Sequence, residues 1–65
     1  MEYEAHIKTN EGKTFFLNVH SEDHLFEKLK FAQRTTGYLR VCDNYKRHGW
    51  INVNTILRIW IEELY

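Results

Sequence analysis

The chain has 65 residues, room for one domain and one core. A lone cysteine, Cys42, excludes an internal disulfide and points to a reducing compartment. No stretch approaches the ~20 apolar residues of a membrane helix, and Met1 to Lys8 lacks the pattern of a signal peptide, so the reading is cytoplasmic.

So short a chain buries only about 60% of the surface that its unfolded form exposes. Stability must come from a disulfide, a metal, a partner or an unusually rich core. Two Trp, four Tyr and four Phe supply the apolar area for a core, which argues against disorder.

In chain order, Tyr3, Ala5 and Ile7 alternate with Glu2, Glu4, His6 and Lys8, the period of a half-buried strand. Phe15, Leu17 and Val19 continue in step after Asn10-Glu11-Gly12, a three-residue loop with glycine where a left-handed residue is required. Pairing Thr9 with Lys13 sets Ile7 opposite Phe15, Ala5 opposite Leu17 and Tyr3 opposite Val19. All six then share one face, and a slip of one residue would scatter them.

Ser21 is a good N-cap, with Glu22 and Asp23 in the first turn where the helix dipole favours them. Leu25, Phe26, Leu29 and Ala32 recur at helical spacing, and Gly37 suits the residue past the helix end, predicting a helix over residues 22–35. Tyr38 to Asn44 reads as a strand, with Leu39 and Val41 on one side. Arg47-His48-Gly49 repeats the glycine-third loop pattern, and pairing Lys46 with Trp50 sets Tyr45 opposite Ile51 and Val41 opposite Thr55. The last segment suits either a helix capped by Asn54 or a strand with Leu57, Ile59 and Ile61 on one side; its β-branched and aromatic content favours the strand. The expected fold is a single α+β domain over residues 1–65, in the order ββαβββ, with one helix on an antiparallel sheet.

The chain holds few groups arranged for chemistry. His6, His20, His24, Cys42 and His48 are the candidate metal ligands, but their spacing lacks the close pairs of a structural zinc site, and no metal or cofactor is expected. Cys42 lies in a strand with His48 expected at a distant loop tip, so no nucleophile–base pair is expected and no enzyme. Gly12, Gly37 and Gly49 have turn or cap roles, leaving no glycine-rich phosphate loop.

Charge is unevenly spread. Residues 28–50 carry Lys28, Lys30, Arg34, Arg40, Lys46 and Arg47 against Asp43, a balance of +5 that the two ends cancel. Arg40, Tyr45, Lys46, Arg47 and Trp50 mix cations with aromatics able to stack on bases. They define one reading, a nucleic-acid-binding regulator, which the zero net charge weakens because such affinity comes largely from phosphate neutralisation.

Three aromatics fall on outer faces: Phe31 on the polar side of the helix, Phe16 beside His6 on the first hairpin, and Trp60 opposite Leu57, Ile59 and Ile61 in the strand reading. Surplus aromatics without a catalytic constellation favour a non-catalytic protein-interaction module: a homodimer, an adaptor, or an inhibitor of another protein such as a mobile element carries. Phe31, Phe16 and Trp60 are its expected interface residues.

Overall fold

The computed structural model describes residues 2–64. Strands β1 (Tyr3–Thr9) and β2 (Thr14–Val19) form the expected hairpin, with Tyr3 opposite Val19, Ala5 opposite Leu17 and Ile7 opposite Phe15. The Thr9 N–H donates to the Lys13 carbonyl at 2.9 Å, and Gly12 turns the loop at φ +82. The alternation thus selects the register and the glycine makes the turn possible.

Helix α1 (Glu22–Arg34) starts where the Ser21 Oγ accepts the His24 N–H at 3.1 Å. The imidazole of His24 returns the favour one residue further out, its Nδ1 accepting the His20 N–H at 2.9 Å. Two otherwise orphaned backbone donors are satisfied by two side chains. At the other end, Gly37 takes φ +80 and donates its N–H to the Ala32 carbonyl at 2.7 Å. Leu25 and Ala32 face the sheet and are buried.

The second hairpin departs from expectation. Strands β3 (Tyr38–Cys42) and β4 (His48–Asn52) pair Leu39 with Ile51, Val41 with Gly49 and Cys42 with His48, in place of Val41 with Thr55 and Tyr45 with Ile51. Gly49 lies within β4, and the left-handed residue of the loop is Lys46 at φ 62. The reason is Asp43, whose carboxylate organises the turn and which the expected register would have put on the core face.

A 3₁₀ turn (Val53–Thr55) leads into β5 (Ile56–Glu63), confirming the strand reading of the C-terminal segment. β5 pairs antiparallel with β1, but the register shifts between Lys8 and Thr9, where Arg58 and Ile56 are the respective partners. Leu57 is the residue left over. This bulge turns it outward, 69% exposed, so it does not share the core side with Ile59 and Ile61 as its spacing implied.

The strand order is β4-β3-β2-β1-β5, all antiparallel, with the helix packed on one face. β2 and β3 are joined through Phe16 and Cys42 alone among the described residues, so the two strands diverge towards the helix. Ile51 of β4 belongs to the same buried cluster as Ile7, Ala32, Leu39 and Val41, with Ile59 of β5 packed against it. Edge strands share that core because the sheet is folded over. A second cluster of Ala5, Val19 and Leu25 continues the core towards the start of the helix.

Ile7 is fully buried at the centre of this arrangement. Ile7→Ala should therefore destabilise the fold by about 2–5 kcal/mol, measured by urea denaturation. An unchanged midpoint would contradict the core assignment. Among the glycines, Gly37→Ala should cost about 1 kcal/mol through its positive φ, whereas Gly49→Ala adds a methyl that meets nothing within 4 Å and should be tolerated. The reverse ranking would restore Gly49 to a turn.

Candidate functional site

The outer face of the sheet, away from the helix, carries a row formed by register. His48 pairs with Cys42, Cys42 with Phe16, Phe16 with His6, and His6 with Trp60, one residue from each of the five strands. The His6 ring meets Phe16 edge-on at 4.9 Å between centroids and stacks on Trp60 at 5.3 Å. Its side chain is only 14% exposed, and its Nε2 lies 3.0 Å from Glu4 Oε1 and 2.7 Å from Glu62 Oε2. Neither oxygen lies within the angular range of a hydrogen bond from that nitrogen, which is buried and unbonded. The three atoms therefore converge without a hydrogen bond from the His6 nitrogen.

Phe16 and Trp60, expected at an interface, are thus half-buried against His6 and do not stand free. Phe31 lies elsewhere. With Tyr38, Arg40 and Trp50 it lines a groove of about 390 Å³ between α1 and the β3–β4 hairpin, with Lys28 beside it. Phe31, Tyr38 and Trp50 are 62%, 48% and 66% exposed, while Leu39 in the same groove is buried. The structure brings Phe31 together with Trp50, not with Phe16 and Trp60. Sequence periodicity placed Phe31 outward but held no signal for its neighbour, since the two belong to elements whose relative placement depends on the helix crossing.

The basic, aromatic segment is divided in two. Arg40 and Trp50 are direct cross-strand partners at the groove. Tyr45, Lys46 and Arg47 are exposed on the loop at the far end of the hairpin. There Asp43 Oδ1 accepts the N–H of Tyr45 at 2.8 Å and of Arg47 at 3.0 Å, and Asp43 Oδ2 accepts the Arg47 Nε–H at 2.9 Å. The Arg47 guanidinium also lies 5.1 Å from the centroid of the Tyr45 ring. Both residues are engaged within their own loop. The Arg47 backbone N–H above all, aided by the Tyr45 N–H and the Arg47 guanidinium, holds the Asp43 carboxyl below the ordinary aspartate range.

The histidines also differ from their linear reading. His20 and His24 stack at 4.9 Å, although Ser21 begins the helix between them, and the His24 Nδ1 is already committed to the His20 N–H. His48 is not distant from Cys42: its Nδ1 lies 3.3 Å from the Cys42 Sγ. This correction follows directly from the true register of the hairpin, which makes the two residues partners. The thiol–imidazole contact is the closest approach to a nucleophile–base pair among the described residues, but no carboxylate or carbonyl is recorded orienting the ring from its other side.

Acidic and basic side chains gather at different clefts, although Lys8 and Arg58 face each other on β1 and β5 and Glu27 lines the aromatic groove. Glu4, Glu62 and Glu63 lie on β1 and β5, and Glu63 shares a cleft with Glu22 and Asp23 at the start of α1. The cations Lys28 and Arg40 lie at the aromatic groove.

A folded-state value below that of the unfolded chain means that Asp43 stabilises the loop above the ordinary aspartate range. That contribution is lost as pH falls through the lower folded value. NMR titration should find the Asp43 carboxyl below the ordinary range, and Asp43→Ala should speed amide exchange at Tyr45 and Arg47. Titration at the ordinary value with unchanged exchange would deny the carboxylate its role in the loop. No protein-family model matches the chain, and no curated protein or solved structure matches it.

Proposed function

We propose that this chain is a small non-catalytic protein-binding module, and that its partner at the aromatic groove is a second copy of itself. The observation that carries the reading is the grouping of Phe31, Tyr38 and Trp50, all exposed, around one groove beside the buried Leu39. Exposed aromatics gathered in one place are the usual anchors of protein interfaces, because a rigid ring fills a pocket at small entropic cost. A compact chain of 8.0 kDa is expected to expose about 4,450 Å², and this one exposes 4995 Å². The surplus is of the order that one side of a modest interface removes from water.

Charge segregation favours a second copy. The groove carries Lys28 and Arg40 against Glu27, and the cleft between the start of α1 and the end of β5 carries Glu22, Asp23 and Glu63 with no cation in its lining. A two-fold arrangement can therefore set the basic side of each copy against the acidic cleft of the other.

The nucleic-acid reading retains one favourable observation, the Arg40–Trp50 pair beside Lys28. It is the weaker reading, because Arg47 is engaged by Asp43 within its own loop and the formal net charge is zero.

Sedimentation velocity tests the proposal. The wild type should be a dimer at tens of micromolar, and Phe31→Lys and Trp50→Ala should each shift it towards monomer while leaving circular dichroism unchanged, since both residues are exposed. A monomeric wild type at that concentration would overturn self-association. Dimers that survive both substitutions would remove the groove. Binding of a single-stranded oligonucleotide that weakens steeply with salt would favour the second reading.

A further inference from the structure

The sheet sets Glu4 directly opposite Glu62, two carboxylates on one face of adjacent strands. Like charges in that position destabilise a sheet unless a positive charge lies between them. His6 follows Glu4 on the same face and points its Nε2 between the two, 3.0 Å from Glu4 Oε1 and 2.7 Å from Glu62 Oε2. The three ligand atoms lie within 4.8 Å of one another.

We propose that Glu4, His6 and Glu62 form a binding site for a divalent first-row transition ion, of which Zn²⁺ is the representative. Two ligands about 2.1 Å from one ion are about 3.0 Å apart at 90° and about 3.4 Å apart at the tetrahedral angle. The two nitrogen–oxygen separations lie close to those of cis positions on a single ion. Two ligands of one ion can be at most about 4.2 Å apart, so the exposed Glu62 shifts on binding to bring the three atoms, now within 4.8 Å, inside that span. The buried Nε2 without a hydrogen bond is what a lone pair directed at an ion leaves when its ligands are aimed at a common point rather than at one another. Two carboxylates and a neutral imidazole carry a charge of about −2, which a divalent cation cancels. The imidazole favours Zn²⁺ over Mg²⁺ or Ca²⁺, which take oxygen ligands.

The ring is held in advance. Phe16 meets its edge and Trp60 stacks on its face, so binding does not have to order it. The ion joins β1 to β5 and so staples the edge strand to its neighbour, one of the cross-links by which so short a chain gains stability. The site lies on the outer face, apart from the aromatic groove, and does not depend on self-association.

The test is calorimetric titration of the whole chain with ZnCl₂, alongside thermal melts with ZnCl₂ and with MgCl₂. The wild type should take up one equivalent of Zn²⁺ in the micromolar range with a raised Tm, and MgCl₂ should do neither. Glu4→Gln and Glu62→Gln should each weaken binding at least tenfold. Because each removes one of two facing carboxylates, the metal-free variants should melt no lower than the wild type, which separates lost binding from lost fold. Cys42→Ser should bind as the wild type does. Absence of binding at 1 mM ZnCl₂, wild-type affinity in either Gln variant, or loss of binding in Cys42→Ser would each overturn the site, the last by moving the ion to the Cys42–His48 contact.

Discussion

Three residues, Val53–Thr55, link the strand at one edge of the sheet to the strand at the other. Asn52 and Ile56 can therefore be no more than roughly 14 Å apart, whereas four strand spacings in a flat sheet measure roughly 19 Å. The ends to be joined also lie at opposite ends of their strands, since Asn52 pairs with Tyr38 at the helix end and Ile56 with Thr9 at the first loop. Only a sheet folded strongly over itself satisfies so short a link. The turn is fastened to suit: the Val53 N–H donates to the Gly37 carbonyl at 2.9 Å, and the Asn10 N–H to the Thr55 carbonyl at 2.8 Å.

The same constraint determines which surfaces are left free. Folding the β3–β4 hairpin over the other three strands parts β2 from β3 beyond Phe16 and Cys42, and α1 packs against both. The helix covers the inner face with Leu25, Leu29 and Ala32, and its far side keeps Phe31 in solvent. Because the hairpin crosses near the helix, Trp50 and Tyr38 arrive beside Phe31. On the outer face, the pairing of β1 with β5 brings Glu62 and Trp60 against His6. Both candidate sites are thus consequences of strand placement, and neither occupies a loop designed for a ligand.

The two hairpins show how local signals succeed and fail. In the first, glycine position, loop length and alternation agree. In the second, Gly49 imitates the same signal, but Asp43 offers a carboxylate to two backbone N–H groups and a guanidinium. An aspartate that can form such a turn outcompetes a glycine whose freedom is not needed. The resulting change of register moves His48 from a supposed loop tip to a place beside Cys42.

By itself the sequence determined the elements whose forces are short-range. These are the first hairpin and its register, the helix with its Ser21 and Gly37 ends, the strand character of residues 56–63, and the outward direction of Phe16, Phe31 and Trp60. Alternation, capping and β-propensity act within a few residues and are written in the local order of side chains. The tertiary structure alone decided that Glu4, His6 and Glu62 converge, that Phe31 meets Trp50, that Leu57 is expelled at a bulge, and that the basic segment is split between groove and loop. Each of those depends on which strands become neighbours and how steeply the sheet folds, quantities set by the summed burial of residues far apart in the chain.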